Sequence, residues 1–501
     1  MTDERATLTY GNWRRPQSPG IAGMGLLGTG ILIAGMVVVI ILLTFSIVLA
    51  GIGILVVAVV MAPLLVKDRH GRNGVQRLTA RAAWAQGRTR GWRIYRSGPI
   101  GRAKSGRFQI PALGAGITAV DAEDAFNRPF VLLHHPSTGH VSTVIETSPD
   151  GNALVDEAQV DQWVAHWGGW LASLGQETNL VGASVTIETA PDSGSRLERE
   201  VNTHIVDGAP ALARQVMGEI VRDYPSASAS ITCRIALTWS RQSAFGATRR
   251  RSLDEMAIEI GNRLPGLTQP LSAAGGGAAV PMTTAGLAAA IRVAYDPSVH
   301  SLVEEAGPQN AGIPWEDAGP TAAQEAADHY WHDGATSVTW AMSVAPRGLV
   351  FSNVLAKLLA PHRDITRKRV TLLYRPHDAG QSAELVERDR RDAQFAAQGG
   401  GRRPASARNL VSVQATEQAA REEARGAGVT RFGMMVTATV IGADRDRMRQ
   451  VESTVDSLGT ASRIVLRRLW GSQSAGFLAA LPLGLVIPAH LKVPASVREA
   501  M

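Results

Sequence analysis

Between Arg15 and Lys67 the chain contains no Asp, Glu, Lys, Arg or His, and from Ile21 to Val66 nearly every residue is Ile, Leu, Val, Ala, Gly or Met. As one helix these 46 residues would run about 69 Å, roughly twice the hydrocarbon thickness of a bilayer. Two spans fit instead, Ile21–Leu43 and Ser46–Val66, joined by a tight turn near Thr44–Ser46. A cleaved leader has a far shorter apolar core. The run Gly23-Met24-Gly25-Leu26-Leu27-Gly28 has the spacing of a dinucleotide fingerprint, but no strand precedes it and it lies inside the apolar stretch. It reads as helix packing. Gly28 and Gly35, Gly30 and Ala34, and Ala58 and Ala62 are spaced to let helix backbones approach in lipid.

The flanks orient the hairpin. Arg14 and Arg15 precede it, and twelve basic residues follow it: Lys67, Arg69, Arg72, Arg77, Arg81, Arg88, Arg90, Arg93, Arg96, Arg102, Lys104 and Arg107, against one acid, Asp68. Basic residues beside short spans stay in the cytoplasm. Both termini and the soluble region are therefore expected there, in the cell membrane's inner aspect. Each basic residue beside anionic lipid headgroups contributes about 1 kcal/mol. Because the whole chain carries only +7, the remainder is net acidic, and direct DNA contact is the lesser reading. A length of 501 residues exceeds one usual domain. The single cysteine, Cys233, excludes a disulfide framework and a Cys-based zinc site.

Beyond the linker, strand and helix patterns alternate. Strands are expected at Pro129–His134, His140–Thr147, Leu180–Thr189, Ser230–Ser240 and Leu287–Tyr295, with helices at Val155–Leu174, Arg196–Tyr224 and Ser252–Arg263. After Gly275-Gly276-Gly277 the order recurs. Strands are expected at Val338–Val344, Arg369–Arg375, Phe432–Ile441 and Arg463–Arg467, and helices at Ser352–Leu359, Ala383–Ala397, Ala415–Arg425 and Asp446–Leu458, with a flexible loop at Gly399–Arg408. Both halves read β-α-β, helical insertion, β-α-β, the order of a ferredoxin-like (split βαβ) unit. The expected class is α+β. The expected division is a segment 1–20, hairpin 21–66, basic linker 67–110, α+β units 111–300 and 301–485, and a tail 486–501.

Reactive constellations are thin. His134 and His135 are adjacent on a strand and point to opposite faces, and His140 across the turn adds a second imidazole without a carboxylate. His329 and His332, in Asp328-His329-Tyr330-Trp331-His332-Asp333, have i,i+3 spacing suited to one helical face; a polar helix end accounts for them better than a metal. G-x-S-x-G is absent, and Cys233 sits in an apolar strand. No Gly-Lys dipeptide occurs, so a Walker A loop cannot be built. No catalytic residue, metal or cofactor is implied. Trp163, Trp167 and Trp170 share a helix face, which reads either as core or as a subunit contact.

The runs Arg369-Val-Thr-Leu-Leu-Tyr374-Arg375-Pro376-His377, Ala415-Thr416-Glu417 through Gly426, Arg467-Arg468-Leu469-Trp470-Gly471-Ser472-Gln473 and Phe477-Leu-Ala-Ala-Leu481-Pro482-Leu483-Gly484 carry a resemblance. They resemble an actinobacterial family of two-span membrane proteins encoded beside type IV secretion-like conjugation ATPases. The closing pattern is similar to the end of the non-catalytic N-terminal region of those large ATPases, and the hairpin is similar to their small PrgI-like subunit. The resemblance implies a non-enzymatic inner-membrane scaffold, oligomeric within a larger complex, with other membrane subunits and a separate P-loop ATPase as partners. The docking surface is expected around Arg463–Gly484, with Arg467, Arg468, Gln473, Phe477 and Leu481 at its centre. An EccE-like membrane subunit of type VII secretion and a membrane-tethered enzyme are the alternatives.

Overall fold

The computed structural model describes residues 8–491 except 12, 14–24, 67, 69, 71, 99–100, 102–106, 150, 152–154, 193, 207, 224–228, 243–249, 308, 347 and 399–406. Arg14 and Arg15, the expected beginning of the first span, Lys67, Arg69, Arg102, Lys104, most of the expected loop Gly399–Arg408 and the tail beyond Leu491 lie outside the described residues.

Gly25–Phe45 and Ile47–Leu65 are helices of 21 and 19 residues, each about 30 Å long. Ser46 alone separates them, in extended backbone (φ −166°, ψ 140°), and its hydroxyl accepts the Val48 amide. The turn falls within the expected Thr44–Ser46. Ile40, Phe45, Ile47, Leu55 and Val59 are all more than half exposed, a pattern that water disfavours and lipid accepts. Between the helices a Cβ on Gly35 would lie 2.8 Å from Val57 Cγ2, and one on Gly53 would lie 2.8 Å from Leu42 Cδ1. Gly30, also expected at the contact, has nothing within 4 Å.

The remaining chain builds one sheet of 13 strands, antiparallel throughout its ladder. They are β1 (Ile94–Arg96), β2 (Thr118–Glu123), β3 (Pro129–His135), β4 (His140–Ser148), β5 (Leu180–Pro191), β6 (Ala229–Ser240), β7 (Ala278–Pro281), β8 (Ala322–Glu325), β9 (Tyr330–His332), β10 (Ala335–Val344), β11 (Arg367–Pro376), β12 (Thr430–Ile441) and β13 (Val465–Arg468). The order is β1-β8-β9-β10-β12-β11-β5-β6-β4-β3-β2, with β7 added to β4 and β13 to β10. A repeat is built into it. The first half pairs β7-β4-β6-β5 and the second β13-β10-β12-β11. In each, two helices stand between the second and third strands: Ser195–His204 and Ala211–Asp223, then Ala379–Gln398 and Ala407–Ala424. A further helix follows each fourth strand, Thr284–Tyr295 and Gln473–Ala479. The halves join where β5 runs against β11, from Ala183 opposite Tyr374 to Thr189 opposite Lys368.

Several expectations need correction. The two α+β units are not separate bodies with their own sheets; β5 and β11 fuse them into one. Leu287–Tyr295 is helix, not strand. Thr283 caps it by accepting the Gly286 amide, and Leu287, Ala288, Ile291, Ala294 and Tyr295 are all buried. A helix buried on every side loses its 3.6-residue period and imitates a core strand. Arg196–Tyr224 divides into the helices Ser195–His204 and Ala211–Asp223, the first ending where Ile205 turns extended (φ −67°, ψ 120°), and Tyr224 lies outside the described residues. Only Ala356–Leu359 of Ser352–Leu359 is α-helical, and β13 starts at Val465 because Arg463 turns in left-handed backbone (φ 56°).

Alternation along the strands sorts two layers. Phe130 and Leu132 of β3 pack under the helices Glu157–Leu174 and Leu253–Leu271, while the helix Arg445–Ala461 covers the second half. Val131 and Leu133 face the other way. They share a cluster with Ala323 and Tyr330 of β8 and β9, from the far end of the sheet, around Leu287, Ile291, Phe477 and Leu481. The sheet therefore curls about the helices Thr284–Tyr295 and Gln473–Ala479.

Candidate functional site

Both flanks of the apolar hairpin return to the β10 region, at Ser343 in the strand and Val350 beyond its end. Ahead of it, Tyr10 and Val350 exchange backbone bonds of 2.8 Å, and the Tyr10 hydroxyl donates to Asp161 at 2.9 Å. Burial, with Asp161 alongside, pushes that phenol up to about 12. Trp13 packs on Phe432 with centroids 5.1 Å apart. Behind the hairpin, His70 Nδ1 lies 3.1 Å from Ser343 Oγ. Asp68, the one acid of the basic stretch, accepts the His70 and Arg72 amides at 2.9 and 3.0 Å and pairs with Arg77 at 3.0 Å. It organises the turn out of the hairpin. Asn73 and Gln76 then form a capping box that starts the helix Gly74–Thr89. Arg77, Arg81, Arg88, Arg90 and Arg96 are exposed, Arg72 and Arg93 half-buried, and Arg90 stands 5.0 Å over Trp92.

The tryptophan face packs inward. Trp170 is buried and donates Nε1–H to Leu267 O at 3.0 Å. Trp167 stacks on it at 4.8 Å and meets Tyr374 edge-on at 6.2 Å. Trp163 covers Gly275, where a Cβ would lie 2.7 Å from the indole.

The C-terminal segment corrects the expected dock. Gln473 is fully buried, its Oε1 accepting the Thr339 amide at 2.8 Å and its Nε2 donating to Leu469 O at 3.0 Å. Phe477 and Leu481 belong to the core. From there the chain crosses the seam between the halves: Thr371 donates to Ala480 O at 3.0 Å, Ser142 to Leu483 O at 2.9 Å and Thr238 to Gly484 O at 2.8 Å. Gln473, Phe477 and Leu481 thus latch the sheet from inside and offer nothing to a partner in this arrangement. Arg468 pairs with Glu452 at 2.6 Å and lies 5.0 Å over Trp470. Arg467 is half-buried, and burial, with Arg72 nearby, lowers its pKa. Trp470, 58% exposed, stands at the surface.

Sequence reasoning missed a charged cluster at the seam. Glu188 of β5 lies 2.9 Å from Arg367 and 3.6 Å from Arg369 of β11, and 3.5 Å from Arg234 of β6. Burial works against its charge, but the three guanidinia prevail and hold the carboxyl at about 2. Arg369 is sealed against Phe477, 4.6 Å from the ring centroid. These residues lie on three strands, and no spacing along the chain announces them.

The β3–β4 hairpin brings two of the histidines together. His134 lies 3.0 Å from Arg241, and His135 and His140 face each other across the β3–β4 turn. His329 bonds Asp328 in a turn while His332 is buried on β9, so they share no helical face. The Cys233 thiol is buried, which raises its pKa. Among the described residues no group of three or more His, Cys, Asp or Glu is placed to hold a metal ion. A cavity of about 200 Å³ on the latch face is bordered by Ser184, Leu373, Pro488 and the cross-strand pair Arg375 and Arg431.

The molecule is thus an α+β sheet protein whose two N-terminal helices are long and apolar enough to cross a membrane. Residues 17–76, the hairpin and its immediate flanks, match a family model described as a domain of unknown function, DUF8461. No curated protein matches the chain.

Proposed function

We propose that this chain is a non-enzymatic scaffold of a conjugative, type IV-like secretion apparatus, seated in the inner membrane by its hairpin with both termini cytoplasmic, and that it holds a separate P-loop ATPase against the bilayer. The observation that carries the reading is the shared landing of the two hairpin flanks: Tyr10 on Val350 and His70 on Ser343. Two flanks that return to neighbouring parts of one domain support a hairpin with that domain on one side of the membrane. The basic flank favours the cytoplasmic side and anionic headgroups. The strand orders β7-β4-β6-β5 and β13-β10-β12-β11 support reading each half as a ferredoxin-like unit with a helical insertion. The runs Arg369–His377 and Arg467–Gly484 add the resemblance to the non-catalytic part of conjugation ATPases. A motor on a separate chain would be concentrated by confinement to the membrane.

The test is cross-linking in intact cells followed by identification of the proteins that co-purify, with a P-loop ATPase expected among them. Truncation at Ser462 is unsuitable because it removes Phe477, Leu478 and Leu481 from the core. Trp470→Ala and Arg468→Ala leave those residues in place. The reading expects recovery of the ATPase with the wild-type chain and reduced recovery with a surface variant; no recovery with the wild-type chain would overturn it.

A further inference from the structure

We propose that the helix Gly74–Thr89 lies flat in the headgroup layer of an anionic bilayer, with Val75, Leu78, Ala82 and Ala85 turned into the lipid. The proposal rests on reading the hairpin as membrane-spanning. Four observations converge on it.

The first is periodicity. Positions 75, 78, 82 and 85 follow i, i+3, i+7, i+10 and form one stripe. All four are exposed, Val75 by 37% and Leu78 by 60%. A helix with one apolar face in water lacks a partner on that face.

The second is that the opposite side is already occupied. Trp84 stands nine residues after Val75, half a turn around the helix. It lies against Gly471, where a Cβ would come within 3.6 Å of Trp84 Cβ. The soluble body therefore touches the back of the helix at Trp84 and leaves the apolar stripe facing outward.

The third is position. The capping box on Asn73 begins the helix directly after the hairpin. Gly74 abuts Pro63 in the second apolar helix, so closely that a Cβ would meet Pro63 O at 2.9 Å. The first turn is thus tied to the end of a span, at headgroup depth.

The fourth is charge. The helix contains no Asp or Glu, and exposed Arg77, Arg81 and Arg88 run along one flank of the stripe. Past its end, Trp92 and Ile94 are 67% and 47% exposed beside Arg90. An apolar face bordered by arginines and closed by an exposed indole fits an interfacial helix on acidic lipid. A protein partner with an apolar groove is the competing occupant.

The experiment uses the full chain reconstituted in vesicles, with Cys233→Ala removing the native thiol. A bimane is attached at Leu78→Cys, at Ala83→Cys on another side of the helix, or at Ile40→Cys within the first apolar helix. Quenching by spin-labelled lipid is then compared in phosphatidylcholine vesicles with and without phosphatidylglycerol. The expected result is quenching at 78 about threefold or more above that at 83, strengthened by phosphatidylglycerol. Quenching at 40 with none at 78 would overturn the proposal and leave the hairpin reading standing. Absence at both would overturn the two together, and quenching at 78 indifferent to phosphatidylglycerol would overturn the assignment to anionic lipid.

Discussion

His135 and His332 hold the same place in the two halves of the sheet. Each is the last residue of the strand entering a hairpin, and each has Nε2 2.8 Å from the hydroxyl of the third residue of the next strand, Ser142 or Ser337. Each serine faces a threonine across the sheet, Thr238 or Thr439. The polarity is nonetheless reversed. Ser142 spends its hydrogen on Leu483 O, so it accepts from His135. At the other site Tyr295 O takes the hydrogen on His332 Nδ1, so neutral His332 accepts from Ser337. The repeat preserves position while the C-terminal latch, which reaches Ser142, reverses the bond.

Acid sensitivity follows. Burial pushes His135 down to about 3 and His332 to about 4, and His140 to about 4 as well. In the unfolded chain these groups titrate near 6.5. Between those values the unfolded state binds more protons, so stability is fully present above about pH 6.5 and is lost as pH falls toward 4, by up to about 1.4 kcal/mol per pH unit for each histidine. Urea midpoints of the detergent-solubilised chain between pH 7.5 and 4.5 should fall accordingly. His332→Gln should lower stability at pH 7.5 yet flatten the slope; an unchanged slope would refute the assignment.

The hairpin was legible because its length and apolarity are carried by one contiguous stretch, and Ser46 marks its turn. Most strands were legible for a related reason: alternation survives wherever one layer differs from the other. What escaped was fusion of the halves. Glu188 and Arg369 are 181 positions apart, and a buried carboxylate matched by arginines from two other strands leaves no local period. The helix Thr284–Tyr295 escaped because burial on all sides erased its stripe. Gln473, Phe477 and Leu481 were noticed through their pattern, but the pattern belongs to an internal latch.

Topology can be read by thiol accessibility, since the native Cys233 is buried. Cysteines at Leu8, exposed by 57%, and at Phe126, exposed by 68%, flank the hairpin on either side. Both should react with a membrane-impermeant maleimide only after permeabilisation of the cells. Labelling of one but not the other in intact cells would mean a single crossing.

Helix contact within the hairpin has its own controls. Gly35→Val and Gly53→Val place methyl groups where Val57 and Leu42 already stand, at an overpacking cost of about 1–3 kcal/mol. Gly30→Ala and Gly51→Ala meet open space and should be near neutral. A disulfide cross-linking rate between cysteines on the two helices should fall for the first pair and hold for the second.

Gly484 is the most demanding position of the latch. Its backbone is left-handed (φ 68°), and a Cβ there would sit 2.5 Å from Thr238 Oγ1 and 2.6 Å from Ser142 Cβ. An alanine meets two separate penalties, about 1–2 kcal/mol for the backbone and about 1–3 kcal/mol for the crowding. The crowding also drives Thr238 off its bond to Gly484 O. Gly484→Ala should therefore lower the unfolding free energy by about 2–5 kcal/mol, summing those two penalties. Adding Thr238→Ala removes one of the two blocking groups and leaves Ser142 Cβ and the strained backbone. Urea titration should show the double variant recovering part of the loss, with the remainder above the backbone penalty alone. If Gly484→Ala costs less than about 1 kcal/mol, the lower end of the backbone penalty alone, the segment does not press on Thr238 and Ser142. The seam between the halves would then have to be held by Glu188 and its arginines without the latch.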